Sequence, residues 1–183
     1  MRLRVLGTRG EIEESSKYVR KHSGILLDDI LLDCGEPEYL ELQPKAILVT
    51  HVHPDHWAEG IETDIPVYSP EKADGMKSYH KAQPLKPFKI GDLKVTPIPT
   101  THSKKVKSVA YLIEDDKRVL YTGDMIWINK EYHDKLRDLD LVITEASSFD
   151  RDLIKKDKET GEIYGHSSAK RLYLSLIHIS EPT

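Results

Sequence analysis

Short apolar runs separated by polar turns dominate the chain, and runs of this length fit strands better than helices. "LRVLG" (3–7) opens the series, and the polar stretch "TRGEIEESSKYVRKH" (8–22) follows as a loop without period. "SGILLD" (23–28) and "DILLDCG" (29–35) predict two strands joined by a tight hairpin turn at Asp28–Asp29. "KAILVT" (45–50) is a continuous apolar run of the kind found in a buried strand. After it the chain turns. Pro54 suits the first position of a helix and Asp55 its positive end, so "PDHWAEG" predicts a helix that Gly60 ends. "PVYS" (66–69) reads as a strand and "PEKADGMKSYHK" (70–81) as a second helix. Strands are then predicted at "LKVTPIP", "SVAYLIED", "RVLYTG" and "LDLVITEAS", the middle two joined across Asp116–Lys117. Repeats, low-complexity tracts and linkers are absent from the sequence.

Composition narrows the class. A chain of 183 residues is long enough for one domain with a real core. Its net charge of −4 does not point to a nucleic-acid or membrane binder, although nucleic acid is not excluded. The one cysteine, Cys34, rules out an internal disulfide and fits a reducing, cytoplasmic setting. No apolar h-region opens the sequence and no run reaches membrane-spanning length, so neither a signal peptide nor a membrane span is expected. Oligomeric state is not legible.

The chemistry lies in "HVHPDH". Three imidazoles and a carboxylate (His51, His53, Asp55, His56) follow a buried strand within six positions. Zinc takes neutral imidazole and carboxylate ligands, usually four, at about 2.0–2.2 Å. In extended backbone alternate side chains share a face, so His51 and His53 can grip one ion. Asp55 and His56, past the turn, point elsewhere and suit a second. Three more segments place a donor just beyond an apolar run: "VTPIPTTHS" with His102, "VLYTGD" with Asp124 and "LVITEAS" with Glu145. In a layered α/β protein such positions line one edge of a sheet, where ligands bind. His22, His80 and His133 show no ligand spacing, and Cys34 is expected to be buried and inert.

In this order the motifs resemble the metallo-β-lactamase superfamily. "HVHPDH" is similar to its signature, "ILLDCGE" to the strand before it, "TTHS" to the third motif and "YTGD" to the fourth. "EAS" followed by "GHSSAKRL" resembles the region after the fourth motif in tRNase Z and its phosphodiesterase relatives. The resemblance implies an α/β fold, a four-layer αββα sandwich. It implies His51, His53 and His102 on one metal, Asp55 and His56 on the other, and Asp124 bridging. Asp33 would orient the ligand loop. Two divalent ions are implied, zinc first because imidazole dominates, with manganese or iron also compatible.

The tail departs from the family. "LSLIHISEPT" (174–183) matches letter for letter the in-frame translation of a transposase adapter used to prepare sequencing libraries. The expected domain is therefore 1–173, incomplete at its carboxyl end, with 174–183 non-native. The family's last ligand histidine lies beyond a helix and a turn. His178 is too close to His166 for that and is not counted as a ligand.

The expected function is a dinuclear metal-dependent hydrolase acting on a small or modest phosphodiester. A hydroxide held between ions about 3.5–4 Å apart would attack phosphorus. Asp55 belongs to the catalytic set, and His166, held by Glu145, would protonate the leaving group. Lys104, Lys105 and Lys107 fit either a guide for a phosphate or a solvated lysine run. The segment between His56 and His102 holds no long basic insertion to clamp a transfer RNA. The alternatives are a thioesterase or lactonase of the same fold, for which the Glu145–His166 pair would be surplus, and a non-catalytic metal-binding domain.

Overall fold

The computed structural model describes residues 1–10 and 21–180, so most of the loop expected over 8–22 lies outside the described residues. The chain divides into two compact units, Met1–Ala82 and Gln83–Thr183. Mixed sheets with few helices make up both, in line with the expected α/β class. No described helix is long and apolar enough to cross a membrane.

The first unit is a six-stranded sheet in sequence order: β1 (Leu3–Gly7), β2 (Gly24–Leu27), β3 (Ile30–Leu32), β4 (Ala46–Leu48), β5 (Val67–Ser69) and β6 (Tyr79–Lys81). β2 and β3 form the predicted hairpin, with Asp28 in the left-handed region at φ 52°. From β3 onward neighbours run parallel, with Leu32 opposite Leu48. Parallel strands end on one edge, so Asp33, just past β3, emerges beside Thr50 in the segment that follows β4. Leu31, Ile47, Val49, Val67 and Met76 pack beneath them, each no more than 1% exposed.

Both helices expected in this unit are absent. Residues 53–57 make a single turn, in which the N–H groups of His56 and Trp57 both reach the carbonyl of His53. The chain then leaves the helical path because the strand exit captures it. Cys34 N–H donates to His56 O at 2.7 Å, and Ala58 N–H donates to Cys34 O at 2.9 Å. The stretch 70–78 is likewise a turn. Gly75 sits at φ 78°, where an added Cβ would lie 1.6 Å from the carbonyl oxygen of Ile61. Thr63 N–H donates to the carbonyl of Gly75 at 3.0 Å and Lys77 N–H to that of Thr63 at 3.2 Å, pairings that replace helical bonds.

In the second unit β7 (Phe88–Ile90) and β11 (Trp127–Ile128) flank the long β8 (Leu93–Thr101). The sheet continues through β9 (Val109–Glu114), β10 (Arg118–Tyr121) and β12 (Leu141–Ile143). Two antiparallel steps turn β10 back to the direction of β8, and β12 runs parallel to β10. His102, Asp124 and Glu145 therefore leave the same edge, as the apolar runs predict. β13 (Leu153–Lys156) and β14 (Ile163–His166) form a separate hairpin.

The helix α1 (Ala169–Ser180) follows and runs through the start of the adapter-like segment. Ser168 caps it, with its Oγ accepting the N–H of Arg171. Leu172 seats α1 against the core of Ile98, Leu112, Leu120 and Leu136.

Candidate metal centre

In the first unit the ligand loop is held by one carboxylate. Asp33, fully buried at φ 56°, accepts the backbone N–H of Thr50 at 2.7 Å and the Thr50 hydroxyl at 2.9 Å. The same carboxylate lies 2.7 Å from Nδ1 of His56. Since the Thr50 hydroxyl gives its hydrogen to Asp33, it accepts from Nδ1 of His51, 3.1 Å away. One acid thus fixes two rings, His56 directly and His51 through Thr50, and in both assigns coordination to Nε2. The ring of His53 stands edge-on to His51 at 4.6 Å between centroids, and the turn brings the ring of His56 to 4.1 Å from it. Asp55 Oδ2 lies 3.5 Å from Nε2 of His56. Asp33 has the orienting place expected of it. Thr50 was not singled out from the sequence; its only signal is its position immediately before the first histidine.

The second unit carries its own set. Ligand atoms of His102, Asp124 and His166 all lie within 4.8 Å of one another. Nε2 of His102 is 3.9 Å from Asp124 Oδ2, and Nδ1 of His166 is 3.7 Å from the same oxygen. His102 donates from Nδ1 to the carbonyl of Gly165 at 3.1 Å, which again directs Nε2 to a ligand's role. Glu145 accepts from His166 Nδ1 at 2.7 Å and from the Ser147 hydroxyl at 2.6 Å. Its other oxygen takes the N–H of Met125 at 2.6 Å, which pins the residue next to Asp124. Burial pushes the Glu145 carboxyl above its usual range, against the opposing hydrogen bond from His166.

Imidazole nitrogens with their outer edges engaged, beside carboxylate oxygens, are the donors that a divalent transition metal takes, so the residues present fit the implied group.

The remaining candidates fall outside these clusters. Lys104 forms an ion pair with Asp157 on the β13–β14 hairpin and lies 5.4 Å over the ring of Tyr164. Lys104 is thereby tied to the hairpin. His22 pairs with Glu36, His80 stacks on Tyr68 and His133 bonds to the carbonyl of Ile128. Cys34 is fully buried, and its burial pushes the thiol up to about 12.

Residues 35–179 match the family model described as the beta-lactamase superfamily domain. The chain belongs to this superfamily. Its fold is similar to that of the metallo-beta-lactamase fold protein YhfI from Bacillus subtilis, at 20% identity and TM-score 0.64, over 91% of this chain and 76% of that one. It is also similar to a diphosphatase from the PhnP family, at 18% identity and TM-score 0.62, over 96% and 80% of the two chains. A third likeness is to Zn(2+)-bound PqqB from Methylobacterium extorquens, at 14% identity and TM-score 0.56, over 79% and 72%. Comparison with curated proteins gives no match. The protein is thus a metallo-β-lactamase-fold chain with a candidate metal-binding cluster of histidines and aspartate.

Proposed function

We propose that this superfamily member is a metal-dependent hydrolase that cleaves small phosphodiesters. The observation that carries the reading is the His166–Glu145 pair, closed at 2.7 Å, with Asp124 3.7 Å from the same ring nitrogen. Activated acyl substrates expel a stable leaving group without help. An alkoxide leaving phosphorus needs a proton, and an imidazole fixed by a buried carboxylate beside the ligands is suited to deliver one.

When bound, a pair of divalent ions acidifies water and neutralises charge on the substrate's oxygens. The rest is the work of the chain. Glu145 accepts the Nδ1–H of His166, so Nε2 is the nitrogen that serves the leaving group. Ser147 and Met125 N–H hold Glu145 in place, and Asp33 with Thr50 holds His51 and His56.

The distribution of ligands belongs to the proposal: His51, His53 and His102 for one ion, Asp55 and His56 for the other, Asp124 for both. So does zinc as the metal, which the imidazole-rich donors favour and the zinc-bound relative supports. A phosphorus substrate agrees with the relative described as a diphosphatase. A small one agrees with the segment between His56 and His102, which is taken up by short strands and turns. The cytoplasmic setting also belongs to the proposal, supported by the single buried thiol.

The test is turnover of a chromogenic panel of phosphodiesters, thioesters and lactones by the zinc-loaded full chain. Phosphodiester cleavage lost on His166→Ala supports the reading. Fast thioester or lactone cleavage with no phosphodiester cleavage replaces it with the acyl-hydrolase reading.

A further inference from the structure

The second unit contains a connection that the proposed roles do not use. Gly165 meets His102 twice. Its N–H donates to the carbonyl of His102 at 2.7 Å, and its own carbonyl accepts from the ring Nδ1 of His102 at 3.1 Å. Its chain neighbour is His166. A single residue therefore grips a candidate metal ligand by both backbone and ring while carrying the candidate proton donor next to it.

The backbone makes this grip specific to glycine. Gly165 lies at φ 121°, a conformation other residues rarely adopt, and an added Cβ would sit 2.1 Å from the carbonyl oxygen of Leu153. That oxygen belongs to the partner strand, where Ile154 is opposite Gly165 and Leu153 opposite His166. A side chain would have to push β13 and β14 apart or rotate the 165 peptide, and either movement withdraws the acceptor from His102.

The far end of the hairpin is also fastened. Asp157 holds the tip turn by accepting the N–H groups of Glu159 at 2.9 Å and Thr160 at 2.7 Å, and it pairs with Lys104, two residues beyond His102. The hairpin is thus tied at both ends to the loop that bears the ligand.

We propose that Gly165 is a positioning residue whose peptide group locks the ring of His102 for metal binding and, through the same hairpin, sets the place of His166. The proposal rests on the ligand role of His102 and the donor role of His166 given above. A ligand ring whose outer nitrogen is engaged is pre-oriented, and loss of such a partner weakens metal binding by about 10–100-fold.

The experiment compares the full chain with Gly165→Ala and Asp157→Ala. It reads the His102 Nδ1–H resonance and its exchange by nitrogen-15 NMR, and zinc affinity by competition with a chromogenic chelator. Gly165→Ala is expected to lose the protected Nδ1–H signal and to bind zinc about 10–100-fold more weakly. Asp157→Ala leaves the 165 peptide in place but loosens the tip, so the signal is retained with faster exchange and zinc weakens less. An unchanged signal and unchanged affinity in a folded Gly165→Ala protein overturn the proposal. If Gly165→Ala does not fold, unchanged exchange and affinity in Asp157→Ala overturn it. Failure of the wild type to cleave phosphodiesters removes the functional reading alone, because the NMR signal and the zinc affinity are read without any substrate.

Discussion

Asp33 Oδ2 stands 2.7 Å from Nδ1 of His56, although the two residues are separated by a strand, a crossover and the whole ligand motif. The parallel pairing of β3 with β4 creates this contact. Both strands deliver their next residues to one edge, so the acid leaving the first meets the loop leaving the second.

Asp33→Ala should consequently weaken metal binding by about 10–100-fold while leaving every proposed ligand in the chain. The variant also strands the buried N–H of Thr50, which costs about 1–3 kcal/mol of stability. Chelator competition and denaturant titration read the two effects separately. Wild-type metal affinity in the variant would remove Asp33 from its orienting role.

His53→Ala should abolish turnover and lower bound metal. Its ring faces His51 at 4.6 Å, and its backbone carbonyl already closes the turn, so the substitution spares the fold. Metal content by elemental analysis beside circular dichroism checks this. Unchanged metal with unchanged turnover would sink the ligand assignment.

His166→Ala should slow phosphodiesters with poor leaving groups by about 10²–10⁴-fold and activated esters far less. Glu145→Gln should follow the same pattern more weakly, because the amide oxygen still accepts from the ring but no longer supplies the charge that stabilises its protonated form. A plot of rate against leaving-group pKa distinguishes this from a general loss of activity. An equal effect across the series would mean that His166 binds substrate or metal instead.

Cys34 should resist alkylation in the native protein at pH 8 and react at once in denaturant. Burial raises its pKa from 9.0 to about 12, so the folded thiol keeps its proton where the unfolded one loses it. The sign follows: this contribution to stability is fully present below about pH 9 and declines as pH rises towards 12. Denaturant midpoints between pH 8 and pH 11, compared with Cys34→Ala, measure it. A midpoint in the wild type that falls no faster than in the variant would contradict the burial argument.

The sequence by itself determined the main apolar strands and the position of the donors, but not β6, β7, β11 or the β13–β14 hairpin. Continuous apolar runs such as "KAILV" and "RVLY" need burial on both faces, and a donor placed just past such a run must emerge at a sheet edge. That local logic reaches His51, His102, Asp124 and Glu145 without knowledge of strand order.

Helices were less legible, because their fate was decided by partners distant in sequence. Pro54 and Asp55 are good helix starters, yet Cys34 takes the carbonyl and N–H groups that a second helical turn would need. Gly75 is likewise committed by the nearby backbone of Ile61. The supports of the candidate site belong to the same class. Thr50 and Gly165 act through backbone groups and a hydroxyl, whose partners neither periodicity nor the neighbouring motifs name. Whether such a group reaches an imidazole depends on strand pairing and on a hairpin's seating, and only the tertiary structure sets those.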